Sequence, residues 1–131
     1  MPLMVKAIDH LVLTVADLSA TVAFYEVLGL RHEKFQAADG THRHALIFGD
    51  QKINLHIQGA EFEPKARKAT PGSGDLCFLS DTPLEDWQGH LEHHGIAVEL
   101  GPVPRTGAAG PLNSLYVRDP DGNLIEISNV V

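Results

Sequence analysis

Two stretches of this 131-residue chain carry the same punctuation about 65 positions apart. Asp17, a helix N-cap type, opens LSATVAFYEVLG, and Gly29 closes it. Thr82-Pro83-Leu84-Glu85, a capping box with proline at the first helical position, opens a second helix that Gly95 closes. The caps are 65 residues apart and the closing glycines 66. The turns before the last strand of each half, near Asp50 and Gly122, are about 72 apart. A repeat of this kind makes each half one supersecondary unit and restricts the chain to a tandem architecture.

Each half has the same content. AIDHLVLTV at 7–15 reads as a strand, and the helix after it puts Leu18, Val22, Tyr25 and Leu28 on one face. Short strands follow at 30–37, 42–48 and 51–57, separated by Asp39-Gly40 and Gly49-Asp50. Residues 59–74 are polar, broken by Pro64, Pro71, Gly72 and Gly74, and read as a long loop or linker. The second half has a strand at 75–80, a helix with Leu84, Trp87 and Leu91 on one face, a strand at 96–100, a glycine-proline loop at 101–111, the strand NSLYVRD, an Asp119-Pro120-Asp121-Gly122 turn, and a last strand at 124–128. The expected fold class is α+β: two tandem β-α-β-β-β modules, approximately 7–58 and 75–129, in a single domain over 1–131. One helix per module covers one sheet face and leaves a curved mixed sheet around a concave site.

Composition removes several classes of function. A formal net charge of -7 argues against a nucleic-acid or anionic-membrane partner. The single cysteine, Cys77, excludes disulfide frameworks and cysteine-rich zinc sites and reads as a small core hydrophobe. No stretch approaches the roughly 20 apolar residues of a membrane span, and the N-terminus is too short in apolar residues for a signal peptide, so the expected location is cytoplasmic. Eight histidines are the unusual count, and they invite a search for metal ligands.

Polar residues inside apolar strands need partners. His10 breaks IDHLVLTV, Glu126 breaks NLIEIS, Asn54 and His56 share one face of KINLHI, and Asp75 opens DLCFLS. His10 and Asp75 are equivalent in the repeat, and either Asn54 or His56 is the counterpart of Glu126. Imidazole and carboxylate donors on one floor suit a borderline divalent ion: Zn, Ni, Mn, Co or Fe. Arg105, between prolines and glycines, reads as a gate over an anionic substrate, and Lys52 as a second cation for it. His42 and His44 beside a turn read as an exposed hairpin. His90, His93 and His94 read as favourable charges at a helix C-terminus.

The stretches IDHLVLTVADLSATVAFYEVLGL and YVRDPDGNLIEI resemble the vicinal oxygen chelate superfamily, which contains glyoxalase I, extradiol dioxygenases, methylmalonyl-CoA epimerase, and fosfomycin and bleomycin resistance proteins. FGDQKINLHIQGAEFEPKA, PGSGDLCFLS and GPVPRTGAAGPLNSLYVRDPDGNLIEISN are similar to the glyoxalase-domain-containing protein 5 group. The resemblance implies a first-strand histidine ligand at His10 and a last-strand glutamate ligand at Glu126, in the D-P-x-G-N-x-I-E pattern. Asp75 stands where glyoxalase I has histidine. Asn54 stands where it has glutamate or glutamine, with His56 two residues later. The expected metal set is His10, His56 and Glu126, with Asp75 as a further ligand, and Glu126, Asp75 and Arg105 are the expected catalytic residues. The implied function is a divalent-metal-dependent glyoxalase-like lyase or isomerase acting on a small, vicinally oxygenated substrate. The alternatives are an Fe(II) extradiol dioxygenase and a metal-free small-molecule binding or resistance protein. The resemblance also implies a homodimer.

Overall fold

The structure, a computed structural model, describes residues 2–131. The chain divides into two compact units, the first running to Thr70 and the second from Pro71 to Val131.

The first unit contains β1 (His10–Val15), α1 (Leu18–Val27), β2 (Arg31–Gln36), β3 (His42–Phe48) and β4 (Gln51–Ile57). Its sheet has the order β1-β4-β3-β2, with β1 parallel to β4 and the other pairs antiparallel. Asp17 caps α1 by accepting the Ala20 N–H at 3.0 Å. Gly29, at φ +92°, takes the left-handed conformation that ends the helix. Phe24, Tyr25 and Leu28 join Leu13, Val15, Leu46, Ile53 and Leu55 in the core. The residues expected at 18 and 22 are only half-buried, and Thr21 and Phe24 are buried instead.

The second unit repeats the layout with β5 (Asp75–Leu79), α2 (Leu84–His93), β6 (Leu100–Thr106), β7 (Pro111–Arg118) and β8 (Leu124–Val130), in the sheet order β5-β8-β7-β6. The α+β class and the repeated β-α-β-β-β order are therefore observed. Leu84, Leu91, Leu115, Val117, Ile125 and Ile127 form this unit's core.

Two local expectations need correction. Thr82 does not cap α2: the cap position falls on Pro83, and no side chain within the helix start supplies the bond. Asn129 of β8 replaces it, accepting the Leu84 N–H at 3.0 Å and donating to the Ser80 and Thr82 carbonyls at 2.9 and 2.8 Å. The strand expected at 96–100 lies at Leu100–Thr106, inside the span expected to be a loop. A register shift between Leu100 and Val103 lets Gly101 and Pro102 be accommodated within that edge strand. Among the described residues, no helix is long and apolar enough to cross a membrane.

Candidate functional site

Register decides which polar residues meet. In the first unit β1 and β4 pair His10 with Lys52, Val12 with Asn54, and Thr14 with His56. Alternation puts these six side chains on the face opposite Leu13, Val15, Ile53 and Leu55. In the second unit β5 and β8 pair Asp75 with Leu124, Cys77 with Glu126, and Leu79 with Ser128. The counterpart of Glu126 is therefore Asn54, and the counterpart of His56 is Ser128.

Within each unit this register bears on the expected ligand set of His10, His56, Glu126 and Asp75. His10 and His56 share a face but stand four residue steps apart along the ladder, roughly 13 Å at a strand's rise. They do not converge on one ion within the unit, and a two-histidine, one-carboxylate arrangement loses its second histidine there. Among the described residues, neither unit by itself brings three or more His, Cys, Asp or Glu side chains into one metal-holding group.

Each residue has a distinct setting. His10 Nδ1 lies 2.9 Å from Asp9 Oδ2. An ionised carboxylate can only accept, so the proton sits on Nδ1 and the Nε2 lone pair is left for an electrophile. Asn54 Oδ1 is buried without a hydrogen-bond partner, because its flanking positions are Val12 on β1 and Ala45 on β3. Lys52 is spent on the Phe35 ring, with Nζ 4.8 Å from its centroid. His56 is buried at 9% exposure, its ring edge-on to Phe62 at 5.7 Å between centroids. Phe62 also carries the Arg43 guanidinium, 3.9 Å from its centroid. Burial first, and then Arg43, depress the His56 pKa and favour the neutral imidazole. The stretch expected to link the modules folds back in part: Pro64, Lys65, Ala66 and Ala69 line, with Val12, Thr14 and His56, an open cavity of about 450 Å³.

In the second unit Glu126 is half-buried and its Oε2 accepts from the hydroxyls of Ser114 at 2.6 Å and Ser128 at 3.2 Å. The two hydroxyls are 2.7 Å apart, both fully buried, and Cys77 Sγ lies 3.3 Å from Ser128. Burial is the main influence raising the Cys77 pKa, so the thiol holds its proton and cannot act as a ready nucleophile. Asp75 is exposed at the start of β5. Arg105 is not in a flexible loop: it lies in β6, donating Nε–H to the Tyr116 hydroxyl at 2.8 Å with its guanidinium 5.3 Å from that ring's centroid. The D-P-D-G-N turn is structural. Asp119 accepts from the Asp121 and Asn123 backbones and from Asn123 Nδ2, while Asn123 Oδ1 takes the Gly74 N–H at 2.6 Å and ties the turn to the start of β5.

The donor chemistry suits a divalent cation at three kinds of atom: the Nε2 of His10, the orphaned oxygen of Asn54, and the carboxylates of Asp75 and Glu126. Sequence reasoning missed Thr14, Phe62, Ser114 and Ser128. Ser114 and Ser128 have the alternation parity of Tyr116 and Glu126, a signal present in the strands but meaningful only once their register is known.

Residues 7–127 match the sequence model of the Glyoxalase/Bleomycin resistance protein/Dioxygenase superfamily. The chain is 55% identical over 130 residues to the virulence protein STM3117 of Salmonella typhimurium, covering 98% of this chain and 88% of that one. The crystal structure of STM3117 matches with a TM-score of 0.90, over 98% of this chain and 100% of that one. A glyoxalase domain-containing protein of Mycosarcoma maydis, RDO1, is 54% identical, with coverage of 97% and 70%. The structure of a lactoylglutathione lyase from Agrobacterium tumefaciens is 30% identical with a TM-score of 0.69, covering 96% and 95%.

Proposed function

Because the chain belongs to the glyoxalase/bleomycin resistance protein/dioxygenase superfamily, we propose that it is a divalent-metal-dependent, glyoxalase-like lyase or isomerase acting on a small substrate with vicinal oxygens. The candidate ligands are His10 in the first unit, and Asp75 and Glu126 in the second. When bound, the ion supplies Lewis acidity toward a substrate oxygen. The observation that carries the reading is the setting of Glu126, a half-buried carboxylate oriented by two fully buried serine hydroxyls. A carboxylate held this way can ligate or take a proton at its oxygens without reorganising. The Asp9–His10 contact supports it from the first unit, since an orienting carboxylate is the usual companion of a ligating imidazole. Asp75 is the alternative base. Arg105, already fixed on Tyr116, faces an anionic group on the substrate as a preset cation. The lactoylglutathione lyase relative favours isomerase or lyase chemistry over oxygenation, and so does the separation of His10 from His56.

A homodimer belongs to the same reading. Leu3, Met4, Val5 and Ile8 are exposed ahead of β1, an apolar run that a second copy would cover. Light scattering after size exclusion tests it.

The test of function is elemental analysis of tag-free protein beside His10→Ala and Glu126→Ala. The expected result is about one divalent ion per chain, lost in both variants with the fold retained. Protein that takes up no stoichiometric metal after reconstitution would overturn the proposal.

A further inference from the structure

Thr14 and His56 are direct neighbours in the β1–β4 register, at 8% and 9% exposure. Among the described residues, neither side chain makes a hydrogen bond. Their polar atoms are not among those shut off from solvent, so a hydroxyl and an imidazole with donors to spare stand side by side, within reach of a ligand. Both open onto the 450 Å³ cavity of the first unit, a size within the range of small-molecule sites. The rest of the lining is Val12, Pro64, Ala66 and Ala69, small and apolar, with Lys65 the cation among the described lining residues. Among the described lining residues there is no carboxylate; Glu61 stands behind Lys65 as its ion-pair partner. Lys65 is held only by long ion pairs to Glu61 and Glu63, at 3.5 and 3.7 Å, which are easily exchanged for a nearer anion. His56 is braced from the side by the Phe62 ring that Arg43 stacks upon, so its orientation is set before any ligand arrives.

We propose that this cavity binds a small organic monocarboxylate, its head accepting from the Thr14 hydroxyl, a His56 ring N–H and the Lys65 ammonium, and its short apolar body lying against Val12, Ala66 and Ala69. Three donors and one cation suit one carboxylate. The next cation, Arg43, is already stacked on Phe62 and paired with Asp39, so a second negative charge is poorly matched, and an amine would leave Lys65 facing a like charge. The site lies roughly 13 Å along the strand from His10, and its occupation does not depend on the metal reading.

The experiment is a titration of the full-length, metal-free protein with sodium butyrate, followed by NMR of the His56 imidazole and the Thr14, Ala66 and Ala69 methyl groups, with n-butylamine and n-butanol as matched probes. The expected result is saturable shifts at all four residues with butyrate and none with the amine. Affinity falls about tenfold or more in Lys65→Met, whose side chain is exposed enough to leave the fold intact, and in the near-isosteric Thr14→Val. His10→Ala leaves butyrate binding unchanged, so failure of the metal site and failure of this cavity are separately visible. Absence of saturable shifts in the folded wild-type protein overturns the proposal. So does equal binding of the amine or alcohol, or unchanged affinity in Lys65→Met.

Discussion

Ser114 donates its hydroxyl proton to Glu126 Oε2 over 2.6 Å, from a position with no solvent exposure. Each serine hydroxyl has one proton: that of Ser114 goes to the carboxylate, and that of Ser128 is shared between Ser114 Oγ at 2.7 Å and Glu126 Oε2 at 3.2 Å. Ser114→Ala leaves Glu126 with only the longer bond from Ser128. Urea unfolding at neutral pH should show a loss of about 1–3 kcal/mol. A double-mutant cycle with Glu126→Gln should give a coupling above about 0.5 kcal/mol; additive effects would mean the bond contributes nothing.

Asn129 fastens the start of α2 from a strand 45 positions away in sequence. Asn129→Ala removes a cap acceptor and two donors, and should cost about 1–2 kcal/mol. Thr82→Ala should stay within about 0.5 kcal/mol, because the Thr82 side chain makes no cap bond. Hydrogen exchange at the Leu84 amide should accelerate in the first variant and not in the second.

His32 Nε2 and His44 Nδ1 lie 2.9 Å apart on β2 and β3. Burial, and then the charges of His32, Lys34 and His42, depress the His44 pKa. The unfolded chain therefore binds a proton at His44 before the folded one does. Above about 6.5, the ordinary histidine value, this costs nothing; as pH falls below it toward the folded value, stability is lost. His56 shifts the same way and adds to the slope. Urea midpoints between pH 7.5 and 5 should decline less in His44→Gln than in the wild type. An unchanged slope would remove His44 from the account.

Two glycine substitutions should have opposite signs. Gly101 sits at φ +110°, and a methyl group there would meet the Ser114 carbonyl oxygen. Gly101→Ala is expected to cost at least about 2 kcal/mol. Gly89 lies inside α2 with open space around it, so Gly89→Ala should stabilise by roughly 0.5–1 kcal/mol. Thermal melts of the two variants against the wild type check both.

What the sequence determined by itself was chemistry that acts within a few residues. Asp17 as a cap, Gly29 as a helix end, the Asp119–Asn123 turn and the alternation of the strands could all be read directly, since each satisfies its own backbone or chooses a face locally. The repeat followed from those marks, and with it the α+β class. The tertiary structure decided matters that depend on pairing between distant strands. Only the β1–β4 register makes Asn54, not His56, the counterpart of Glu126, because a two-residue slip keeps the same face and the same polar pattern. Asn129 took the cap from Thr82 because β8 runs beside the helix start, a proximity no local motif encodes. Thr14 gained its meaning only when the 64–69 segment folded back to line an open cavity with it.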